Sequence, residues 1–209
     1  EYPNSTNKII KGWSHHEFLA NEARKADILE DKCDEVTEGT SWHKFYSVNN
    51  TSLLEGIPVL TEYTNVFTDG SKTSYGTGCG FTIYNGKTPI FEGAKALDPR
   101  NTVFQAEVLA LKLAVEFLIQ KGIRSNKIYI FSDSKAAIFA VCKYTYRSDL
   151  VKRTILALNT LARDNIVLIN WVKAHVGYEG NEIADQLAKK GAEGFSNVEG
   201  EVPNLPRVY

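Results

Sequence analysis

Four acidic residues of this 209-residue chain, Asp69, Glu107, Asp133 and Asp185, stand at positions that favour a shared site. Asp69 and Asp133 each end a short apolar run that predicts a β-strand, and sites on such sheets are built where the strands end. Asp185 falls in the first turn of the last predicted helix. Each of these three has an ordinary alternative, namely a turn for Asp69, a helix cap for Asp133 and an interaction with the helix dipole for Asp185.

Glu107 is the most informative of the acids because it lies on an apolar helix face. Its neighbours three and four positions away are Val103, Phe104, Ala110 and Leu111. Burying a lone carboxylate among such residues is costly unless a cation or strong donors meet it. No basic residue lies within one helical turn on that face, which disfavours the alternative of a simple ion pair. We therefore expect a bound cation beside Glu107.

Carboxylates that converge in this way repel one another, and divalent cations relieve the repulsion. Ligation by oxygen alone selects hard ions, so the sequence predicts Mg²⁺, with Mn²⁺ as a substitute. A pair of such ions about 3.5–4 Å apart can hold the attacking and departing oxygens of a phosphoryl displacement. Zinc is not expected, because His15, His16, Cys33 and His43 match no standard zinc-ligand spacing.

The elements that must position these acids follow from periodicity and from turn signals. The predicted strands cover residues 66–69, 76–84, 88–96, 127–132 and 166–173, and the predicted helices cover 102–121, 134–143, 149–164 and 181–190. Asn85-Gly86 predicts a type I′ hairpin turn, and Asn181 is expected to cap the last helix. The fold class is therefore α/β, with a five-stranded mixed sheet of three antiparallel strands followed by two parallel ones, and with helices on its faces.

The composition changes at Tyr63 and divides the chain into three predicted parts. Residues 1–62 form an N-terminal connector with a helix over 14–30, residues 63–194 form the main domain, and residues 195–209 form a flexible tail. The chain begins at Glu1 and contains no Met, which indicates a piece of a longer polypeptide.

Composition excludes several classes of protein. Hydrophobic residues make up 43% and charged residues 23%, as in ordinary globular proteins, and no apolar run reaches the length of a membrane span. No leader sequence is visible and the three cysteines form no Cys-x-x-Cys pair, which predicts an intracellular protein of the cytoplasm or nucleus. Residues 121–163 hold 9 basic and 2 acidic residues, which favours either contact with a phosphate backbone or a solvated charged surface.

Four sequence runs, each containing one of the acids, resemble the motifs of type 1 ribonuclease H. These runs are Phe67-Thr68-Asp69-Gly70-Ser71, Gln105-Ala106-Glu107, Phe131-Ser132-Asp133-Ser134, and the stretch from His175-Val176-Gly177 through Asn181-Glu182 to Asp185. The resemblance covers roughly residues 63–193. The local sequence Val103-Phe104-Gln105-Ala106-Glu107 is most similar to that of ribonuclease H domains of non-LTR retrotransposon polyproteins.

This resemblance implies the ribonuclease H fold and an endonuclease that cuts the RNA strand of RNA–DNA hybrids with two metal ions. Asp69, Glu107, Asp133 and Asp185 match the metal-binding and catalytic acids, and His175 matches a catalytic loop histidine that assists proton transfer or product release. The reverse transcriptase region of the same polyprotein is the expected protein partner, and no membrane partner is expected. The expected nucleic-acid-binding residues are Gly70, Ser71, Thr102, Ser134, Lys135, Lys143 and Arg147.

Two departures from the family pattern affect residues that would bind the hybrid. Val103 and Phe104 stand where many members place Asn or Gln, and the stretch between Asp133 and Trp171 has no room for the basic insertion of many cellular members. Two other functions remain open. One is a catalytically idle ribonuclease H-like module that tethers or stabilises a polymerase, although such modules usually lose an acid. The other is a transposase or integrase relative, which Asp185 disfavours because those acid sets end in Glu.

Overall fold

The structure, a computed structural model, describes residue 34 and residues 39–40, 44–49 and 63–206. Its elements in chain order are β1 (Gly39–Thr40), β2 (Ser47–Asn49), β3 (Thr64–Lys72), β4 (Thr77–Asn85), β5 (Thr88–Leu97), α1 (Val103–Gln120), β6 (Lys127–Ser132), α2 (Lys135–Cys142), β7 (Thr145–Tyr146), α3 (Asp149–Ala162), β8 (Ile166–Trp171) and α4 (Glu179–Ala192). All five strands and all four helices predicted from residue 63 onward are present. The helix predicted over 14–30 lies outside the described residues.

The main sheet has six strands in the described part of the chain, in the order β2-β8-β6-β3-β4-β5. β3, β4 and β5 pair antiparallel, whereas β6 and β8 continue the sheet in parallel beyond β3. The prediction of a mixed α/β sheet is confirmed, but the count of five strands is wrong. The additional strand is β2, whose three residues pair in parallel with β8. So short a strand carries no apolar alternation that would reveal it.

The two faces of β4 show how the sequence places helices on opposite sides of the sheet. Cys79, Phe81 and Ile83 are fully buried in the main core, which they share with α1. On the other face a Cβ at Gly78 would lie 2.0 Å from the Ala192 backbone nitrogen of α4. Residues with side chains would hold α4 away from the sheet, so glycines on this face permit its close approach.

Helix α1 forms the centre of the main core and begins at a complete capping box. The Thr102 side chain accepts a hydrogen bond from the Gln105 backbone nitrogen, and the Gln105 side chain accepts one from the Thr102 backbone nitrogen. Most of the helix is buried, including Leu109 and Leu118. Its start is therefore fixed by local hydrogen bonds and its rotation by packing, and together they set the position of Glu107.

Two details at element ends differ from the sequence prediction. The β4–β5 hairpin pairs Asn85 with Thr88, so its loop residues are Gly86 and Lys87, and only Gly86 has a positive φ. The loop is therefore not of the predicted type I′, because type I′ needs positive φ at both loop positions. Helix α4 begins at Glu179 without a side-chain cap, so the prediction that Asn181 caps it is wrong.

Residues on both sides of the main domain contact it. The Lys44 ammonium donates to the Lys143 carbonyl at 2.7 Å, and the Tyr46 hydroxyl donates to the Val141 carbonyl at 2.7 Å. After α4, Asn197 exchanges backbone and side-chain hydrogen bonds with Ala94 of β5. The division into connector, main domain and flexible tail stays a prediction. No helix in the described residues is both long enough and apolar enough to cross a membrane.

Candidate active site

The pairing of β3 with β6 places Asp69 and Asp133 side by side. The last parallel pair of these strands is Thr68 with Ser132, and each acid is the next residue along its chain. β3 itself continues to Lys72 through pairing with β4. Asp69 is therefore the first residue beyond the parallel pairing, but it still lies within the strand. Carboxylate oxygens of Asp69, Glu107 and Asp133 lie within 4.8 Å of one another. The structure thus brings three of the four expected acids into one cluster.

Glu107 reaches this cluster because α1 passes very close to β3. A Cβ at Gly70 would lie 2.4 Å from the Glu107 backbone nitrogen and 2.9 Å from its Cγ. Only glycine permits this approach without a shift of the helix or the strand. The Glu107 side chain is buried, and its Oε2 has no hydrogen-bond partner. This orphaned oxygen is the feature that a cation would satisfy.

Asp185 lies beside the cluster on α4 rather than within the group of closest oxygens. Its negative charge is among the causes that raise the pKa of Asp69, and Asn181, one helical turn before it on α4, lies 3.4 Å from Asp133 Oδ2. Its Oδ2 accepts a hydrogen bond from the Lys189 ammonium at 2.7 Å, one helical turn further along α4. Lys189 therefore forms an ion pair with the Asp185 carboxylate.

Burial and mutual repulsion raise the pKa values of two of the acids. Loss of solvation, followed by the charges of Asp133 and Asp185, raises the pKa of Asp69 to about 7. Loss of solvation, followed by the charges of Asp69 and Asp133, raises the pKa of Glu107 to about 9. In both cases a hydrogen bond from the Gly70 backbone lowers the pKa, but it does not compensate. Added positive charge would therefore favour the ionised forms of Asp69 and Glu107.

Two polar groups that the sequence prediction did not assign to the site hold Asp133. The Trp171 indole donates to the Asp133 carbonyl at 2.9 Å, and the Asn181 amide lies 3.4 Å from Asp133 Oδ2. Asn181 is buried and its Oδ1 has no hydrogen-bond partner. Asn181 stands four residues before Asp185, so it shares that face of α4, and this spacing was the available signal.

The expected nucleic-acid-binding residues fall into two groups. Gly70, Ser71, Thr102, Ser134 and Lys135 lie within five residues of one of the acids in sequence, whereas Lys143 and Arg147 flank β7 at the far end of α2. The Thr102 and Ser134 hydroxyls accept hydrogen bonds from the backbones of their own helices. The Lys135 ammonium lies 4.2 Å from the centre of the Trp171 ring.

The expected loop histidine, His175, lies in the connection between β8 and α4. It is exposed and has a φ of 54°, a left-handed conformation that is uncommon outside glycine. Gly177 follows with a φ of 88° and has open space around it. These backbone angles make a sharp turn that presents the His175 side chain at the surface of the molecule.

The donor set fits hard divalent cations. It consists of carboxylate oxygens alone, one of which is buried without a partner, and the described residues add no thiol or imidazole to the cluster. Such donors select ions like Mg²⁺ or Mn²⁺ over zinc. Asp69, Glu107 and Asp133 are the residues placed to hold such an ion, with Asp185 adjacent.

We expect the metal-free protein to become less stable as the pH rises. Unfolded, Asp69 and Glu107 ionise near 3.8 and 4.5, whereas in the folded protein their pKa values are about 7 and about 9. Between these values the folded state binds more protons than the unfolded state, so each rise in pH favours unfolding. Melting curves in EDTA should show a falling melting temperature from pH about 5 to about 9, and excess Mg²⁺ should reduce the slope. A metal-free melting temperature that increases over this range would contradict the assignment of these buried acids.

Comparison with known proteins identifies the class to which this fold and site belong. The RNase H family model matches residues 61–193, and the chain therefore belongs to the RNase H family. Curated relatives include the ribonuclease H of Tropheryma whipplei (strain Twist), 28% identical over 148 residues that cover 65% of this chain and 88% of the relative. The ribonuclease H of Neorickettsia sennetsu is 29% identical over 154 residues, which cover 68% of this chain and the whole of that protein.

Solved structures show the same fold. The RNase H1 of the halophilic archaeon Halobacterium salinarum NRC-1 matches with a TM-score of 0.50 and 22% identity, over 62% of this chain and 96% of that one. An N-terminal RNase H domain from Mycobacterium tuberculosis matches with a TM-score of 0.50 and 18% identity, over 62% and 92%. They confirm the predicted ribonuclease H fold. The family match and the relatives named ribonuclease H confirm the predicted enzyme class, a ribonuclease H.

Proposed function

We propose that this protein hydrolyses the RNA strand of RNA–DNA hybrids with the help of two Mg²⁺ ions, which Mn²⁺ can replace. The observation that carries the proposal is the cluster of Asp69, Glu107 and Asp133 oxygens within 4.8 Å of one another, with Asp185 beside it. The family match and relatives named ribonuclease H support the same conclusion. Divalent ions held by such acids would stabilise the charge that develops on a phosphoryl group and would lower the pKa of a bound water molecule.

Three of the four acids have distinct tasks in this proposal. The charges of Asp133 and Asp185 both raise the pKa of Asp69, and we propose Asp69 as the central ligand of the site. Glu107 supplies a buried oxygen whose direction is fixed by the contact of α1 with Gly70. Asn181 and Trp171 hold Asp133 through its carboxylate and its carbonyl. Fixed ligands of this kind require little reorganisation during the reaction, which is the main source of their catalytic value.

The substrate strands are proposed to lie over the edge of β3 beyond Thr68, where parallel pairing with β6 ends. Main-chain groups at Gly70, Ser71 and Ser134 are the candidates for contact with the 2′-hydroxyl that distinguishes RNA from DNA. Thr102 and Lys135 are placed for phosphate contacts near the acids, and Lys143 and Arg147 for more distant ones. His175, exposed on its turn, is the candidate for proton transfer or product release.

The finer origin of the chain is also proposed. The sequence from Val103 to Glu107 supports an origin as the ribonuclease H domain of a non-LTR retrotransposon polyprotein. The reverse transcriptase region of that polyprotein would be the protein partner of this domain. Lys44 and Tyr46 donate hydrogen bonds to the carbonyls of Lys143 and Val141 at the end of α2. Such contacts suit a connector that joins this domain to an upstream one.

A cleavage assay tests the function. We expect the protein with Mg²⁺ to cut the RNA strand of a labelled hybrid internally, and to leave double-stranded RNA and double-stranded DNA of the same sequence intact. EDTA should abolish the activity, and Mn²⁺ should restore it. Binding of hybrid or polymerase without any metal-dependent cleavage would favour the catalytically idle module instead.

A further inference from the structure

Asp34, a residue before the main domain, connects three separate parts of the fold. Its carboxylate accepts hydrogen bonds from the Ser148 hydroxyl at 2.8 Å, from the Leu150 backbone nitrogen at 2.9 Å and from the Gln105 amide at 3.2 Å. Its backbone nitrogen donates to the Leu205 carbonyl at 2.8 Å. Asp34 thus joins the starts of α1 and α3 to the chain that follows α4.

Gln105 transmits this contact to the first turn of α1. Its side chain is almost fully buried, and its amide nitrogen donates to Asp34 and, at 2.9 Å, to the Asn204 carbonyl. Its amide oxygen accepts from Asn101 and from the Thr102 backbone nitrogen. Each hydrogen-bonding atom of this side chain therefore has a defined partner, so the first turn of α1 is held from both sides.

Glu107 is two residues beyond Gln105 in the same helix and contacts β3 through Gly70. A small rotation or shift of the first turns of α1 would therefore move the Glu107 carboxylate relative to Asp69 and Asp133. Displacements of about 1 Å can reduce the rate of a catalysed reaction by up to about 100-fold.

We infer that Asp34 is a positioning residue for the reaction, because its carboxylate holds Gln105 and thereby fixes the place of Glu107 in the cluster. This inference rests on the proposed function for its kinetic consequences. Its structural consequence, a weaker metal site when Asp34 is changed, does not depend on which nucleic acid is the substrate. The chain upstream of the main domain is then part of the active enzyme rather than only a connector.

The test compares Asp34→Ala with Ser148→Ala in the full chain. Ser148→Ala removes a donor to the same carboxylate and the cap of α3, but it leaves the contact between Asp34 and Gln105 in place. For Asp34→Ala we expect kcat to fall about 10-fold with KM changed less than about 2-fold, and Mn²⁺ to bind about 3- to 10-fold more weakly. Amide hydrogens of residues 101–107 should exchange faster.

Ser148→Ala should lower the melting temperature while kcat and Mn²⁺ affinity stay within about 2-fold of the original.

A second variant covers the case in which Asp34→Ala does not fold. Asp34→Asn keeps the shape of the side chain and one acceptor oxygen, so we expect the same changes at smaller size. The inference is overturned if the Asp34 variants lower the melting temperature as Ser148→Ala does but leave kcat and Mn²⁺ affinity unchanged. If the unsubstituted chain binds Mn²⁺ but cuts no hybrid, the proposed function fails, and Mn²⁺ affinity and hydrogen exchange still decide the role of Asp34.

Discussion

Replacement of Asp69 by Asn is expected to reduce hybrid cleavage by about 1000-fold or more, because loss of roughly 4 kcal/mol of transition-state stabilisation corresponds to that factor. Asp69 is the acid that the charges of Asp133 and Asp185 both affect, so its loss removes the ligand shared by the two sides of the site. The substitution keeps the shape of the side chain and removes a charge that is costly to bury. We therefore expect the metal-free variant to melt at the same temperature as the original or higher at pH 8.

The matched control is Asp164→Asn, which removes an exposed acid whose partner is the exposed Arg124. Exposed ion pairs contribute little to stability, so this variant should keep both its melting temperature and its rate of cleavage. The assay is the initial rate of cutting of a labelled hybrid in Mg²⁺. Undiminished cleavage by Asp69→Asn would show that the chemistry takes place elsewhere.

Replacement of Gly70 by Ala is expected to reduce cleavage by about 100-fold through displacement of Glu107. The added Cβ would lie 2.4 Å from the Glu107 backbone nitrogen and 2.8 Å from the Ala106 carbonyl carbon. These are backbone atoms, so α1 or β3 has to move, and the buried carboxylate moves with the helix. We also expect a lower melting temperature, since overpacking of a core typically costs about 1–3 kcal/mol.

Gly78→Ala separates the loss of stability from the loss of the site. Its Cβ would meet the Ala192 backbone nitrogen at 2.0 Å, near the end of α4 and about two helical turns beyond Asp185. This variant should lose stability to a similar extent, and its folded molecules should cleave hybrid within a few-fold of the original rate. Equal cleavage by the Gly70→Ala and Gly78→Ala variants at a temperature where both are folded would refute the importance of the Gly70 contact.

The elements that carry the acids were predictable because each has a strong local signal. The apolar run of β3 that leads into Asp69, the capping box of Thr102 and Gln105, and the apolar run that ends at Asp133 all depend on residues close together in sequence. The unusual position of Glu107 on an apolar helix face indicated that carboxylates would gather. The structure confirms the close approach of Asp69, Glu107 and Asp133. The two aspartates lie side by side because each directly follows the last pair of residues in the parallel pairing of β3 with β6.

Features that depend on distant residues were not predictable in the same way. β2 pairs with β8 across more than 100 residues, and only Val48 in it is apolar. The contacts of Asp34 with Gln105 and Ser148 likewise join residues far apart in the chain, and an isolated Asp has no pattern to reveal them. The role of Asn181 was mistaken because an Asn near the start of a helix normally indicates a cap.

The central claim is that Asp69, Glu107, Asp133 and Asp185 together hold a pair of hard divalent cations. The most direct measurement is anomalous diffraction from crystals grown with Mn²⁺ and a hybrid whose RNA strand resists hydrolysis. We predict two Mn²⁺ peaks about 3.5–4 Å apart, each in contact with Asp69 or its neighbouring acids. Absence of Mn²⁺ from the space between these four carboxylates, with the ions found elsewhere on the protein, would contradict the claim.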